Sequence, residues 1–262
     1  MRAIAIIPAR MAASRFPGKP MKKIIGMPMV EHCYHRACLA LGSESVYVAT
    51  CDLEIDSHIK SLNGKSIMTS KQHNRATTRT AEALQIIENK EGLNVDVVVM
   101  VQGDEPLVPP DVISKTLIHF EDTKVEVVNV MSRILTKEVF NDKNNVKVVV
   151  NSNNDALYFS REAIPSGGFK NTKVPMYMQT GIIAFRKTAL LHFNQMQETP
   201  LEICESVDMN RLLEGNKAIR MVPTEVCTLG IDTEDELAIA ADLLEIDPTC
   251  KLYIRRDGLE YL

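Results

Sequence analysis

Apolar residues in this chain fall into short unbroken runs separated by amphipathic stretches, and the two patterns alternate. AIAII at 3–7, SVYVAT at 45–50, DVVVMVQ at 96–102 and EVVNVMS at 126–132 are the runs expected of strands covered on both faces. Helical spacing over about 29–41, 53–62, 77–90 and 110–120 predicts helices between them, with a short strand near 66–68. Strand-helix alternation of this kind predicts an α/β fold with a mainly parallel sheet and right-handed crossovers.

Between about 133 and 185 the pattern loosens. KVVV (147–150), ALYF (156–159) and YMQTGIIAF (177–185) read as strands divided by Asn-, Gly- and Pro-rich turns. We expect a β-rich insertion here that completes a site or forms a subunit contact, within one domain spanning 1–262. Thr199-Pro200-Leu201-Glu202 is a capping box that starts a helix, with Gly215 as its stop. Thr233-Glu234-Asp235-Glu236 is a second, directly behind Gly230-Ile231-Asp232.

Composition narrows the classes. The 262 residues are 45% hydrophobic and 24% charged, enough for a full globular core. A net charge of −4 argues against a nucleic-acid partner held by a generally basic surface. No apolar run approaches the roughly 20 residues of a membrane span, and Met1 leads straight into a strand without a signal-peptide core. The six cysteines are scattered without a C-x-x-C pair, which predicts free thiols in a reducing cytoplasm. His32, Cys33, His35 and Cys38 crowd one predicted helix, but they do not supply a closed four-ligand zinc set.

The chemistry starts after the first strand. Pro8-Ala9-Arg10 leads through small residues to Arg15 and to Pro17-Gly18-Lys19-Pro20. Ligands of parallel α/β sheets sit beyond the carboxyl ends of the strands, where backbone N–H groups of a small-residue loop can approach phosphate. Arg10, Arg15 and Lys19 would add fixed positive charge for a polyphosphate. The loop is neither G-x-G-x-x-G nor a Walker A loop. VQGDEP (101–106) places Asp104 at another strand's carboxyl end, and GID places Asp232 similarly. Mg²⁺ favours one or two carboxylates plus phosphate oxygens and water, so the two aspartates read as a shared Mg²⁺ site. Asp52 and His73 read as turn and loop hydrogen-bonding residues.

PARMAASRFPGKP, VATCD, VQGDEP, NNVKVVV, ALYFSREAIP and GIDTEDEL, in that order, resemble the 3-deoxy-manno-octulosonate (Kdo) cytidylyltransferases. That family comprises sugar nucleotidyltransferases of Rossmann-like fold. The resemblance extends to about residue 243. It implies that CTP and a 2-keto-3-deoxy sugar acid give a CMP-sugar and pyrophosphate, with Mg²⁺ as cofactor and a homodimer through the insertion. It places Ala9, Arg10, Ser14, Arg15, Lys19, Thr77, Arg79 and Asp104 on the nucleotide. Arg10, Lys19, Asp104 and Asp232 would be catalytic, and Asp104 and Asp232 would hold the metal. Gln102, Arg161, Gln179, Glu202, Glu205 and Asp208 would face the sugar, Arg161 at its carboxylate.

Departures cluster in two places. The family's Ser-Gly-Thr-Asp/Glu-Arg loop reads Arg75-Ala76-Thr77-Thr78-Arg79, and Ala tolerates positive φ less well than Gly. The family's Arg-His-x-Gly reads Met178-Gln179-Thr180-Gly181, and its Glu-Gln pair reads Asp208-Met209. A site built to pair a hydroxyl discriminates by that pairing, so either Kdo with substituted contacts or a modified, amino- or deoxy-bearing acid fits. An enzyme for another base or sugar, and a non-catalytic nucleotide-binding protein, are the alternatives.

Overall fold

The continuous apolar runs become neighbouring strands because each must be covered on both faces. The computed structural model describes residues 1–12, 16–167, 174–226 and 229–254. Its strands are β1 (Ala3–Pro8), β2 (Lys23–Ile24), β3 (Met27–Pro28), β4 (Val46–Thr50), β5 (Lys65–Met68), β6 (Val97–Val101), β7 (Val127–Arg133), β8 (Lys147–Val150), β9 (Ala156–Ser160), β10 (Tyr177–Arg186) and β11 (Arg220–Thr224). Its α-helices are α1 (Met29–Leu41), α2 (Leu53–Ser61), α3 (Ala76–Glu91), α4 (Pro110–Ile118), α5 (Lys137–Asn141), α6 (Lys187–Gln195), α7 (Pro200–Glu205), α8 (Met209–Glu214) and α9 (Glu234–Ile246).

The main sheet runs β11-β7-β10-β6-β1-β4-β5, with β8 joined to β10 and β9 to β8; β2 and β3 form a separate hairpin. β6, β1, β4 and β5 are mutually parallel, as the alternation predicts, and β11 is parallel to β7. Alternate residues of one strand enter opposite cores. Ile4 and Ile6 face a cluster with Leu84 and Ile87 of α3, while Ala5 and Ile7 face one with Val30 and Cys33 of α1.

Two expectations are corrected. Tyr177–Arg186 belongs to the middle of the sheet, antiparallel between β6 and β7. Its Ile182–Phe185 stretch is buried throughout, as a central strand requires. The single helix expected from Thr199 to Gly215 is two short helices, broken at Ser206, whose φ is 52°. A left-handed residue cannot continue an α-helix, and the break turns residues 206–208 towards the sheet's open end.

β10 also changes partner. Ile182–Arg186 pairs with β6, whereas Tyr177 and Met178 pair with β8. A register irregularity lies between Gln179 and Ile183, where the buried Asn129 amide donates to Thr180 O (3.2 Å) and Ile182 O (2.9 Å). The sheet splits there, and the notch opens beside the end of β6.

At the far side of α1, His32 is fully buried between Ile24 O and the Tyr253 hydroxyl, each 3.0 Å from a ring nitrogen. Burial pushes its pKa down to about 4. An unfolded histidine takes a proton near pH 6.5, so His32 erodes stability as pH falls from there to about 4. Urea unfolding is expected to show a loss on the order of 3 kcal/mol between pH 7 and pH 4 that His32→Gln does not share. Equal losses in both proteins would refute this assignment.

Candidate active site

A cavity of about 570 Å³ occupies the notch and the carboxyl ends of β1 and β6. Pro8, Ala9, Arg10, Lys19 and Pro20 line one end, and Gln102, Gly103, Asp104 and Glu105 form the floor. Ser14 and Arg15 lie outside the described residues. Gly103 is held close: a Cβ there would lie 3.1 Å from Pro8 O.

Lys19 joins the two predicted carboxylates. Its Nζ donates to Asp104 Oδ2 (2.6 Å), Asp232 Oδ1 (2.9 Å) and Ile231 O (3.1 Å). Burial disfavours the ammonium, but the two carboxylates outweigh it and raise its pKa. The backbone enforces the convergence, since Ile231 N donates to Asp104 O (3.0 Å). Glu236, from the second capping box, accepts from Asp232 N (2.7 Å). Two carboxylates already gathered around one cation form an oxygen donor set that fits Mg²⁺.

Glu105, the next residue, is buried against Gly181, whose N–H donates to its Oε1. Burial and the neighbouring Asp104 charge push Glu105 up to about 8, while Oε2 has no partner among the described residues. A Cβ at Gly181 would lie 2.7 Å from Gln102 Cβ and 2.8 Å from Glu105 Oε1, so only glycine leaves room for this contact.

Next to the phosphate-loop end, α3 begins at Ala76, behind Arg75 in extended conformation. Ala76 is not among the positive-φ residues, so the departure from glycine costs no strain here. Arg79 is buried, with Nη1 donating to Thr69 Oγ1 (2.5 Å) and Ser70 O (3.2 Å). Its Nη2 is buried without a partner among the described residues, and Arg79 is one of the residues that line the cavity. Thr77 is fully buried behind the wall and donates to Asp208 Oδ2 (2.6 Å). Asp208 lines the cavity, its pKa raised by burial in spite of that hydroxyl.

The opposite wall combines Asn144–Val146, Arg161, Met178–Gly181 and Ser206–Asp208. Gln179 Oε1 is buried without a partner among the described residues. Arg161 braces this wall: Nε donates to Glu205 O (2.7 Å) and Nη1 to Lys143 O (3.0 Å). Glu205 and Glu202, expected at the sugar, do not line the cavity. Glu205 accepts from the Tyr158 and Ser160 hydroxyls and from Arg161 N, at 2.7–2.9 Å. Glu202 is fully buried in a two-bond pair with Arg211, both at 2.6 Å. At i and i+3 the two share a helix face, but that face packs on protein.

Lys147 escaped the sequence reading. It is buried, and its ammonium donates to the carbonyls of Asp142, Asn145 and Arg161, knotting the loop that supplies Asn144–Val146. Burial lowers its pKa. A lysine inside the apolar VKVVV run was the available signal.

A basic loop beside gathered carboxylates, at the carboxyl ends of parallel strands, is a site suited to a phosphate-bearing ligand, and similarity to known proteins gives its class as nucleotidyltransferase. Residues 4–219 match the family model described as Cytidylyltransferase, and the chain belongs to that family. It is 37% identical to a 3-deoxy-manno-octulosonate cytidylyltransferase of Geobacter metallireducens, over 90% of this chain and 95% of that one. It is 38% identical to its Flavobacterium johnsoniae counterpart, over 93% and 99%. Among solved structures, a CMP:2-keto-3-deoxy-manno-octonic acid synthetase complexed with CTP superposes with a TM-score of 0.82 at 33% identity, covering 94% of this chain and 99% of that one. No helix among the described residues is long and apolar enough to cross a membrane.

Proposed function

We propose that the protein joins CTP to a 2-keto-3-deoxy sugar acid, Kdo or a close variant, giving a CMP-sugar and pyrophosphate. The observation that carries this is one cavity lined by Arg10, Lys19, Asp104 and Asp232 at one end, with Arg79 in the adjoining wall.

The sugar's anomeric oxygen attacks the α-phosphorus, a new P–O bond forms, and the bond to the β-phosphate oxygen breaks as pyrophosphate leaves. The hydroxyl proton passes to solvent. Arg10 and Lys19 would hold the triphosphate and offset charge gathering on its nonbridging oxygens and on the leaving group. Asp104 and Asp232 would hold Mg²⁺, which supplies further neutralisation of that charge. Gln102 and Gln179 would orient the sugar, with Arg161 at its carboxylate end. A homodimer through 133–185 belongs to the proposal, supported by exposed Leu135, Leu157 and Val174. So does a cytoplasmic location, which the thiol state of the five described cysteines suits.

A modified acid is the second reading, favoured by the position of the departures Met178, Gln179 and Asp208 in the lining of the cavity. Pyrophosphate release is the test, with Mg²⁺, each nucleoside triphosphate and a panel of acidic sugars including Kdo. Turnover is expected with CTP alone among the nucleotides. Turnover with Kdo would select the first reading; turnover restricted to a modified acid would select the second. Silence with CTP across the panel, or preference for another base, would overturn the proposal.

A further inference from the structure

The geometry points to Glu82, which does not line the cavity, as a positioning residue for Arg10: it holds the imidazole of His73, whose carbonyl holds the Arg10 guanidinium. This rests on reading Arg10 as a triphosphate ligand.

Residues 70–75 connect β5 to α3 without regular structure, yet their path is pinned from the helix. Glu82 Oε2 accepts from Ser70 N (2.8 Å) and lies 2.5 Å from His73 Nε2. The other ring nitrogen, Nδ1, lies 3.0 Å from Thr78 Oγ1. Thr78 and Glu82 stand one turn apart on α3, so they present the same side of a rigid helix to the ring. Arg79, between them in sequence, ties down the start of the loop through Thr69 and Ser70 O. The imidazole is thus gripped at both nitrogens, which fixes the peptide that follows.

That peptide has work to do. Arg10 Nη1 donates to His73 O (3.1 Å), and among the described residues no carboxylate pairs with Arg10. A guanidinium on a long side chain loses considerable rotamer freedom when a ligand immobilises it. A fixed carbonyl takes up part of that ordering beforehand and leaves the remaining N–H groups for an anion. The loop departures fit this arrangement: Thr78, at the family's acidic position, serves as the second grip on His73, while Glu82 supplies the carboxylate one turn later. A positioning error near 1 Å at a reacting group is worth up to about 100-fold, so Glu82 can matter without touching substrate.

The test is a double-mutant cycle on affinity for inorganic tripolyphosphate and for CTP, by calorimetry, with unfolding midpoints recorded for every variant. Glu82→Ala is expected to weaken tripolyphosphate binding about tenfold, while Glu82→Gln, whose amide oxygen can still accept from Ser70 and His73, restores most of it. In an Arg10→Ala background, Glu82→Ala should add less than twofold. Equal effects in both backgrounds would mean Glu82 only supports the fold, and would overturn the inference. Should Glu82→Ala not fold, His73→Asn run through the same cycle decides by the same criterion. Tripolyphosphate binding without CTP binding would sink the cytidylyl reading and leave the cycle decisive for Glu82. Binding of neither by the unaltered protein would overturn both.

Discussion

Asp104→Asn is expected to lower the rate of CMP-sugar formation by roughly 10²–10³-fold while leaving CTP affinity within about tenfold and the unfolding midpoint little changed. Asn keeps the size of the side chain and one acceptor oxygen, so the hydrogen bond from Lys19 can persist. What disappears is negative charge at the spot where Asp104 and Asp232 converge on the Lys19 ammonium. Charge that organises a leaving pyrophosphate acts mainly in the transition state, so the loss should fall on turnover more than on binding. Single-turnover pyrophosphate release together with calorimetric CTP titration separates the two. A fall of less than threefold in rate would remove Asp104 from the chemistry.

Arg211→Met is expected to destabilise the fold by about 3–5 kcal/mol. Glu202 has no exposed surface, and Arg211 supplies both of its 2.6 Å partners while also donating to Met196 O (3.1 Å) and covering the Phe193 ring. Removing the guanidinium leaves a desolvated carboxylate. Arg75 Nε stands 3.8 Å from Glu202 Oε1, too far for a hydrogen bond. Replacing both, Glu202→Met with Arg211→Met, should recover most of the loss, because apolar side chains of similar volume need no compensating charge. Urea unfolding measures both variants. Loss of less than about 1 kcal/mol in the single variant would show that the pair carries little net stability.

Most of the frame was legible because strand runs and helix periodicity are local properties. β1, β4, β6 and β7 lie where continuous apolar runs put them, and the GID-Thr capping signal falls at the start of α9. Placement of β10 was not legible: antiparallel insertion between β6 and β7 is a long-range choice that periodicity does not encode. The break at Ser206 was hidden for a related reason, since nothing local in ESVD outbids a helix whose cap is so clear. At the site, Arg10, Lys19, Asp104 and Asp232 were readable as residues whose chemistry is tied to strand ends. Glu202 misled because helical spacing gives a shared face without saying what that face meets. Glu82 and Lys147 were invisible as site-builders, since each acts by gripping backbone or a neighbour rather than by belonging to a reactive set.

The reversed direction of β10 has an evolutionary consequence. Its second half is locked between β6 and β7, whereas Met178 and Gln179 sit where the strand has already left β6 for β8. The residues proposed for the nucleotide lie at the ends of strands running the other way. On the proposed assignment, descendants of one ancestral gene would diverge in the sugar they accept by altering two or three positions at the start of a single strand, with the strand ends assigned to the nucleotide left in place.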